Sequence, residues 1–385
     1  MQESKSVCVY SPYWANFGGG EKYIASVADV LAASGQYNVT LLASDSSITK
    51  EKLRGYFNIP LERIRFETIG RNSIARRLGA ADIAFIVSNF RSYGTPGKRT
   101  VYVLQIPYGP IEPLSIATKA LKHGLSEALK DCSRVLLLRA ARRSDAVLVY
   151  SHFVAETLRR HHRVDATVLY PPIDDFRLET QKRKTILSVG RFFRGLYNDK
   201  RYDILIDAFK QLYQRLGDAA WEYRLVGSCT TDNPSQKYLA ELRERARGYP
   251  ISFHVNSSFE DLRHHYNDAT LFWHAAGYCI DDERNPDRVE HFGMTTVEAM
   301  SAKCVPIVMN KGGQKEIVSH DESGYLWNTL DEVVEYSLRV IRNPDLLTRM
   351  QLAARNRSTE FNLSRFSRQL LQFIQSLTPQ NHGKE

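Results

Sequence analysis

Apolar residues along this chain fall into two alternating rhythms. Short continuous runs, VCVYS (7–11), NVTLLAS (38–44), DIAFIVS (82–88), TVYVLQI (100–106) and AVLVYS (146–151), read as buried strands. Between the first two lies a glycine turn, FGGG (17–20). It is followed by EKYIASVADVLAASG (21–35), whose apolar positions keep helical spacing up to a closing glycine. Strand, glycine turn, helix, strand is a βαβ unit. Strands that are apolar throughout predict a parallel sheet covered on both faces.

The rhythm breaks at YPPIDDFRLETQKRK (170–184), where two prolines and then charge predict a linker. It restarts with the strand TILSVGRF (185–192) and the amphipathic helix YDILIDAFKQLYQRL (202–216). Further strands follow at EYRLVGS (222–228), ISFHV (251–255), ATLFWH (269–274) and VPIVM (305–309). The fold class is therefore α/β, with two Rossmann-like, doubly wound parallel-sheet domains in tandem. Their expected bounds are 1–172 and 185–362, with 173–184 between them. A terminal amphipathic helix, LSRFSRQLLQFIQSL (363–377), opens a segment, 363–385, expected to pack back on the first domain. Ligands of such sheets bind outside the carboxyl ends of the strands. Two domains facing each other would form a deep cleft holding two substrates away from water.

Composition narrows the class. The 385 residues are 43% hydrophobic and 25% charged, which fits two folded domains and argues against disorder. A formal net charge of +9 points to an anionic partner without choosing among nucleotide, phospholipid and nucleic acid. The start, MQESKSVCVYSPYW, lacks the basic and long apolar regions of a signal peptide, and no apolar run reaches the ~20 residues of a membrane span. The cysteines Cys8, Cys132, Cys229, Cys279 and Cys304 are far apart and lack a C-x-x-C pair, so buried reduced thiols in a cytoplasmic protein are expected.

Four stretches carry candidate chemistry. Gly18, Gly19 and Gly20 lie between strand and helix. They make either a plain tight turn or a place where backbone closely approaches a phosphate. In SVGRFFRGLYNDKRYDIL (188–205), Arg191 follows a strand end and Lys200 precedes a helix. These two cations read either as a diphosphate clamp or as a solvated basic loop, with Arg194 and Arg201 as neighbouring candidates. In VEHFGMTTVEAM (289–300) two acids bracket a helix start. Glu298 shares a helical face with Met294 and Ala302, and a ribose diol would satisfy a carboxylate there. Glu290 precedes the helix, and the backbone N–H groups of about 293 to 295 are unsatisfied donors suited to a diphosphate or its sugar. The alternative is one salt-bridged acid and one capping acid.

The fourth stretch is NKGGQKEI (310–317), where Gly312 and Gly313 make either another close-approach turn or an ordinary strand-to-helix connection, the ordinary one being the reading unless a cleft lies there. The acidic run DDERNPD (281–287) reads as a polar loop rather than a magnesium site, and RRHHR (159–163) as an exposed basic patch rather than a zinc site. No G-x-S-x-G elbow anchors a hydrolase triad.

At EHFGMTTVEAM and VPIVMNKGGQKEI, together with GGGEKY (18–23), SVGRF with its downstream lysine and WHAAGY (273–278), the chain resembles glycosyltransferase family four. These are retaining nucleotide-sugar transferases of GT-B architecture. The resemblance covers nearly the whole chain, and its wording is nearest to members that build lipid-linked oligosaccharides or surface polysaccharides at a membrane. It implies that Glu290 contacts the donor sugar. It also implies that the backbone from Phe292 through Gly293 and Met294 to Thr295 contacts sugar and diphosphate, and that Glu298 holds the ribose. Arg191 and Lys200 would neutralise the departing diphosphate, and Gly18 to Gly20 would shape the donor–acceptor cleft. No metal or other cofactor is expected, because cations on the chain take the charge-stabilising role.

Two positions depart from the family pattern. Gln105 stands where many members carry a histidine near the reacting carbon, so its role would be a hydrogen bond to sugar or acceptor. Lys303 stands where a glycine is usual. The implied reaction is retaining, with same-face departure and attack. The implied partners are a nucleotide-sugar donor and a glycan or lipid-linked acceptor. The basic segment 114–143 suggests peripheral contact with an anionic membrane at its cytosolic face, or an ordinary helix pair with a solvated basic face.

Three other classes compete. An oxidoreductase would need the G-x-G-x-x-G fingerprint that the first βαβ lacks. A nucleic-acid reader would need a recognition motif, and none is visible. A non-catalytic nucleotide-sugar binder remains the alternative.

Overall fold

The computed structural model describes residues 4–111, 125–195 and 199–377. Residues 114–124 of the basic segment lie outside the described part. The chain divides into two compact units, residues 1–172 with 364–385 and residues 173–363.

The first unit is built on a parallel sheet of β1 (Lys5–Tyr10), β2 (Tyr37–Ala43), β3 (Arg65–Thr68), β4 (Ile83–Val87), β5 (Arg99–Val103), β6 (Ala146–Val149) and β7 (Thr167–Val168). Their order is β3-β2-β1-β4-β5-β6-β7. Every residue of β4 is buried, as its continuous apolar run requires. The Leu363–Leu377 helix belongs to this unit. It buries Phe366, Leu370 and Ile374, one stripe at four-residue spacing, and sets Phe366 edge-on to Tyr23 at 5.6 Å.

The second unit repeats the plan with β8 (Arg183–Val189), β9 (Glu222–Gly227), β10 (Ile251–Val255), β11 (Ala269–His274), β12 (Val305–Met309) and β13 (Tyr325–Trp327). Their order is β10-β9-β8-β11-β12-β13, again all parallel. Each unit thus shows the doubly wound order 3-2-1-4-5-6, and the winding reverses between β1 and β4 and between β8 and β11. The Tyr202–Leu216 helix covers one face through Leu205, Phe209 and Leu212, with Phe209 stacked on Tyr223 at 5.5 Å.

Stretch 173–184, expected as a linker, is fastened to the second unit. Ile173 N–H donates to the Phe361 carbonyl at 2.8 Å, Asp175 pairs with Arg355 at 2.5 Å, and Phe176 is buried. The histidine-rich patch is also not wholly exposed: His162 Nε2 lies 2.9 Å from the Tyr108 carbonyl. Burial lowers the pKa of that ring. Of the cysteines, all free, Cys8, Cys229 and Cys304 are buried but Cys132 and Cys279 are exposed. Among the described residues, no helix is long and apolar enough to cross a membrane.

Candidate active site

The carboxyl ends of β8 and β11 flank the reversal point of the second sheet, where an open α/β sheet binds its ligand. β11 ends in His274, the loop after β8 delivers Lys200, and the loop after β11 delivers Glu290. The three side chains meet. Lys200 Nζ lies 2.5 Å from Glu290 Oε2, and His274 Nε2 lies 3.0 Å from the same oxygen. Lys200 and Glu290 are only 15% and 14% exposed, so little water screens the pair.

Burial works against the charge on Glu290. The Lys200 ammonium and the His274 hydrogen bond outweigh it and hold the carboxyl well below the usual range. Burial also lowers the pKa of His274, against the pull of Glu290. The neutral ring must then place its proton on Nε2 to donate to the carboxylate. Lys200, 3.5 Å from that nitrogen, is a neighbour of the ring rather than its donor. The result is an ionised carboxylate, fixed from two sides and able to accept from a hydroxyl, beside an ammonium able to meet a phosphate.

The loop that carries Glu290 rests on the chain's own backbone. Gly313 N–H donates to the Glu290 carbonyl at 2.9 Å. A Cβ on Gly312, whose φ is +56°, would lie 2.1 Å from that carbonyl oxygen. A Cβ on Gly313 would lie 2.5 Å from the Phe292 Cα. Of the two readings of this turn, the close approach is the one the backbone contacts bear out, here as a support for the Glu290 loop. Phe292 itself is buried edge-on against Phe361 at 5.4 Å, so its side chain supports the loop.

Gly293, at φ +115°, starts the Met294–Ser301 helix, and no side chain caps that start. Met294 and Thr295 form its first turn, and Glu298 follows one turn later, half-buried. The Tyr266 hydroxyl donates to Glu298 Oε2 at 2.7 Å. Beside Gly293 sits the fully buried Gln314 amide, whose two polar atoms have no partner among the described residues. A Cβ on Gly293 would lie 2.8 Å from its nitrogen. Lys303, in place of the usual glycine, takes the left-handed conformation at φ +63° just after the helix end.

The other cations separate. Arg191 is exposed and has no ion pair among the described residues. Arg201 is committed to Asp203 at 3.2 Å and to the Tyr278 carbonyl at 3.2 Å. Arg194 reaches Glu241 at 3.3 Å and lies over the Tyr238 ring. These two arginines brace the loop rather than wait for a ligand.

In the first unit, Gly18 is the N-cap of the Gly19–Ala33 helix, and its N–H donates to Glu21 Oε2 at 2.9 Å. A Cβ on Gly20 would lie 2.6 Å from the Gln105 amide nitrogen, and Tyr150 Oη lies 3.5 Å from the Gly20 carbonyl. The glycine turn and Gln105 therefore share one spot at the carboxyl edge of the first sheet. The close approach there is between Gly20 and Gln105 themselves.

His274, Tyr266, Gln314 and Tyr150 are not singled out by sequence reasoning. A polar residue closing the apolar run ATLFWH at the ligand edge was a usable signal for His274. Nothing local marks Tyr266, 32 residues from its partner.

The sequence profile described as "Glycosyltransferase Family 4" matches residues 17–177, and that described as "Glycosyl transferases group 1" matches 172–357. Human "Alpha-1,3/1,6-mannosyltransferase ALG2" is 27% identical over 261 residues, covering 61% of this chain and 59% of the relative. A "GDP-Man:Man(3)GlcNAc(2)-PP-Dol alpha-1,2-mannosyltransferase" from Dictyostelium discoideum is 24% identical over 59% of this chain and 46% of the relative. The matches thus span about half the length of these curated relatives. Among solved structures, a glycosyltransferase from Rickettsia africae superposes with a TM-score of 0.70 at 17% identity, covering 98% of this chain and 100% of that one. Anabaena HepE in complex with UDP-glucose gives 0.68 at 14% identity, covering 97% and 100%. These structures share the fold.

Proposed function

Given that the chain belongs to glycosyltransferase family four, we propose that it is a retaining transferase. It moves a sugar from a nucleoside-diphosphate sugar to a glycan or lipid-linked acceptor. One observation carries the reading: the Lys200–Glu290–His274 cluster lies in the same unit as an uncapped helix start with Glu298 one turn further on. In this reading the sugar hydroxyls meet Glu290, and the diphosphate meets the N–H groups of Gly293 to Thr295. Lys200 and Arg191 neutralise the charge that grows on the leaving diphosphate. Glu298 accepts from the ribose.

The bond between the anomeric carbon and the diphosphate oxygen breaks. The acceptor oxygen then attacks from the same face, and its proton passes to the departing diphosphate. Neutral His274 donates to Glu290 and keeps that carboxylate aimed. The GDP-Man in the name of the Dictyostelium relative, with a second mannosyltransferase among the relatives, makes GDP-mannose the first donor to try. No metal enters this scheme, because the chain's own cations carry the charge. Gln105 and the Gly18–Gly20 turn serve the acceptor side.

A lipid-linked acceptor requires contact with a membrane surface. The Leu125–Arg143 helix leaves Leu129 and Leu136 exposed at 67% and 55%, among the exposed Lys130, Arg139, Arg142 and Arg143. That combination suits an anionic leaflet at the cytoplasmic side. Nucleic acid is not an expected partner.

The test is transfer from labelled GDP-mannose and UDP-glucose to lipid-linked oligosaccharide in the presence of EDTA, with the product anomer read by NMR. The expected product retains the donor's configuration. An inverted product contradicts the mechanism. Donor binding without turnover on any acceptor leaves a nucleotide-sugar-binding protein instead.

A further inference from the structure

Tyr266 stands in the last turn of the Phe259–Asp268 helix, with its side chain fully buried. Its placement is fixed from several directions. The ring meets Phe176 edge-on at 5.2 Å. The backbone carbonyl accepts from Lys182 Nζ at 3.0 Å and from Cys304 Sγ at 3.1 Å. The hydroxyl donates to Glu298 Oε2 at 2.7 Å. A carboxylate only accepts, and burial together with the charge of Glu298 keeps the phenol protonated, so the direction of this bond is settled.

Glu298 differs from its partner in being half-buried, and it lies one turn beyond the uncapped helix start. A flexible glutamate at such a place samples several rotamers, and each rotamer points the carboxylate elsewhere. A donor rooted in the core selects one of them. Tyr266 uses one of the roughly four acceptor directions of the carboxylate.

We infer that Tyr266 is a positioning residue for the donor's ribose. It holds the Glu298 carboxylate in the orientation that accepts from the ribose hydroxyls, and so makes the site selective for ribonucleotides over deoxyribonucleotides. This rests on the reading of Glu298 as the ribose acceptor. Tyr266 touches no substrate and acts only through Glu298. The rival role is a structural tie between the Phe259–Asp268 and Met294–Ser301 helices, which would not depend on the sugar of the nucleotide.

The test is calorimetric binding of GDP and UDP, each with its 2′-deoxy and 3′-deoxy counterparts, to wild type, Tyr266→Phe, Glu298→Gln and the double variant. Wild type is expected to prefer the ribo ligand by about tenfold, the size of a lost hydrogen bond to a charged group. In Tyr266→Phe that ratio falls to about one, and donor KM rises by a similar factor while kcat changes less than about threefold. In the Glu298→Gln background, Tyr266→Phe changes affinity by less than about twofold, because the two act as one unit.

Wild-type discrimination retained in Tyr266→Phe overturns the positioning role alone. Loss of the fold in Tyr266→Phe does the same, since the hydroxyl is then a structural tie. Wild type that binds neither diphosphate, or that binds ribo and deoxy forms equally, overturns the ribose reading of Glu298 and the positioning role with it.

Discussion

Glu290 Oε2 lies 2.5 Å from Lys200 Nζ although 90 positions separate the two residues in the chain. The sheet makes the meeting, because β8 and β11 are neighbours and their following loops leave from the same edge. Both side chains are mostly withdrawn from water, so each is the other's main source of charge compensation.

Removing one partner strands the other charge. Lys200→Met or Glu290→Gln is expected to cost about 3 kcal/mol of stability, and the double variant less than the sum of the two. Denaturant unfolding checks this. Transfer activity of either single variant is expected to fall about a hundredfold or more, since a charge aimed at the leaving group is lost or misplaced.

Gly312→Ala is expected to destabilise by roughly 1–3 kcal/mol and to lower activity beyond what stability explains. The added carbon would press on the Glu290 carbonyl at 2.1 Å from a φ of +56° that alanine disfavours. Unfolding midpoints and donor kinetics on the same preparation separate the two effects. A variant that keeps both unchanged would show that the Glu290 loop does not depend on this contact.

Gly20→Ala has a different expected profile. Its new Cβ meets the end of the Gln105 side chain, 2.6 Å away, and a flexible amide can move aside. Stability should change by less than about 1 kcal/mol. Acceptor KM should rise while donor KM stays near wild type, because Gln105 is the group displaced.

His265 gives the second unit a pH signature. Desolvation first, and then the neighbouring His254 and Arg224, push its pKa down to about 4. The unfolded chain therefore binds more protons than the native state between about pH 4 and the ordinary histidine value of ~6.5. Stability from this group is complete above that window and declines as the pH falls through it. Asp29 in the first unit has the opposite sign: burial raises its pKa to about 6, so its native state favours lower pH. Unfolding followed by a probe in the second unit should show the acid loss, and His265→Gln should reduce it, leaving the share due to His254 and His274, whose pKa values burial also lowers.

Much of the fold is legible in the amino-acid sequence. ATLFWH and VPIVM match β11 and β12 residue for residue, because buried parallel strands leave uninterrupted apolar runs, and ISFHV matches the half-buried edge strand β10. The edge strands of the first sheet do not. RFET of β3 is half exposed and TV of β7 is only two residues long, so neither carries an apolar signature. In the candidate site, the local pair Glu290 and Glu298 is readable from its spacing around a helix start. Their partners Lys200, His274 and Tyr266 come from other elements, and only the order of strands brings them together. Arg194 and Arg201 look as available as Lys200 in the sequence. Asp203, Glu241 and Tyr238 engage them in the folded unit.

The central claim is that the second unit holds a nucleoside diphosphate without help from metal. The most direct measurement is a thermal-shift panel of UDP, GDP, ADP, dTDP and CMP, each with magnesium and with EDTA. The account predicts that one diphosphate raises the unfolding temperature equally under both conditions, and that Lys200→Met abolishes the shift. No shift with any nucleotide, or a shift that appears only with magnesium, contradicts it.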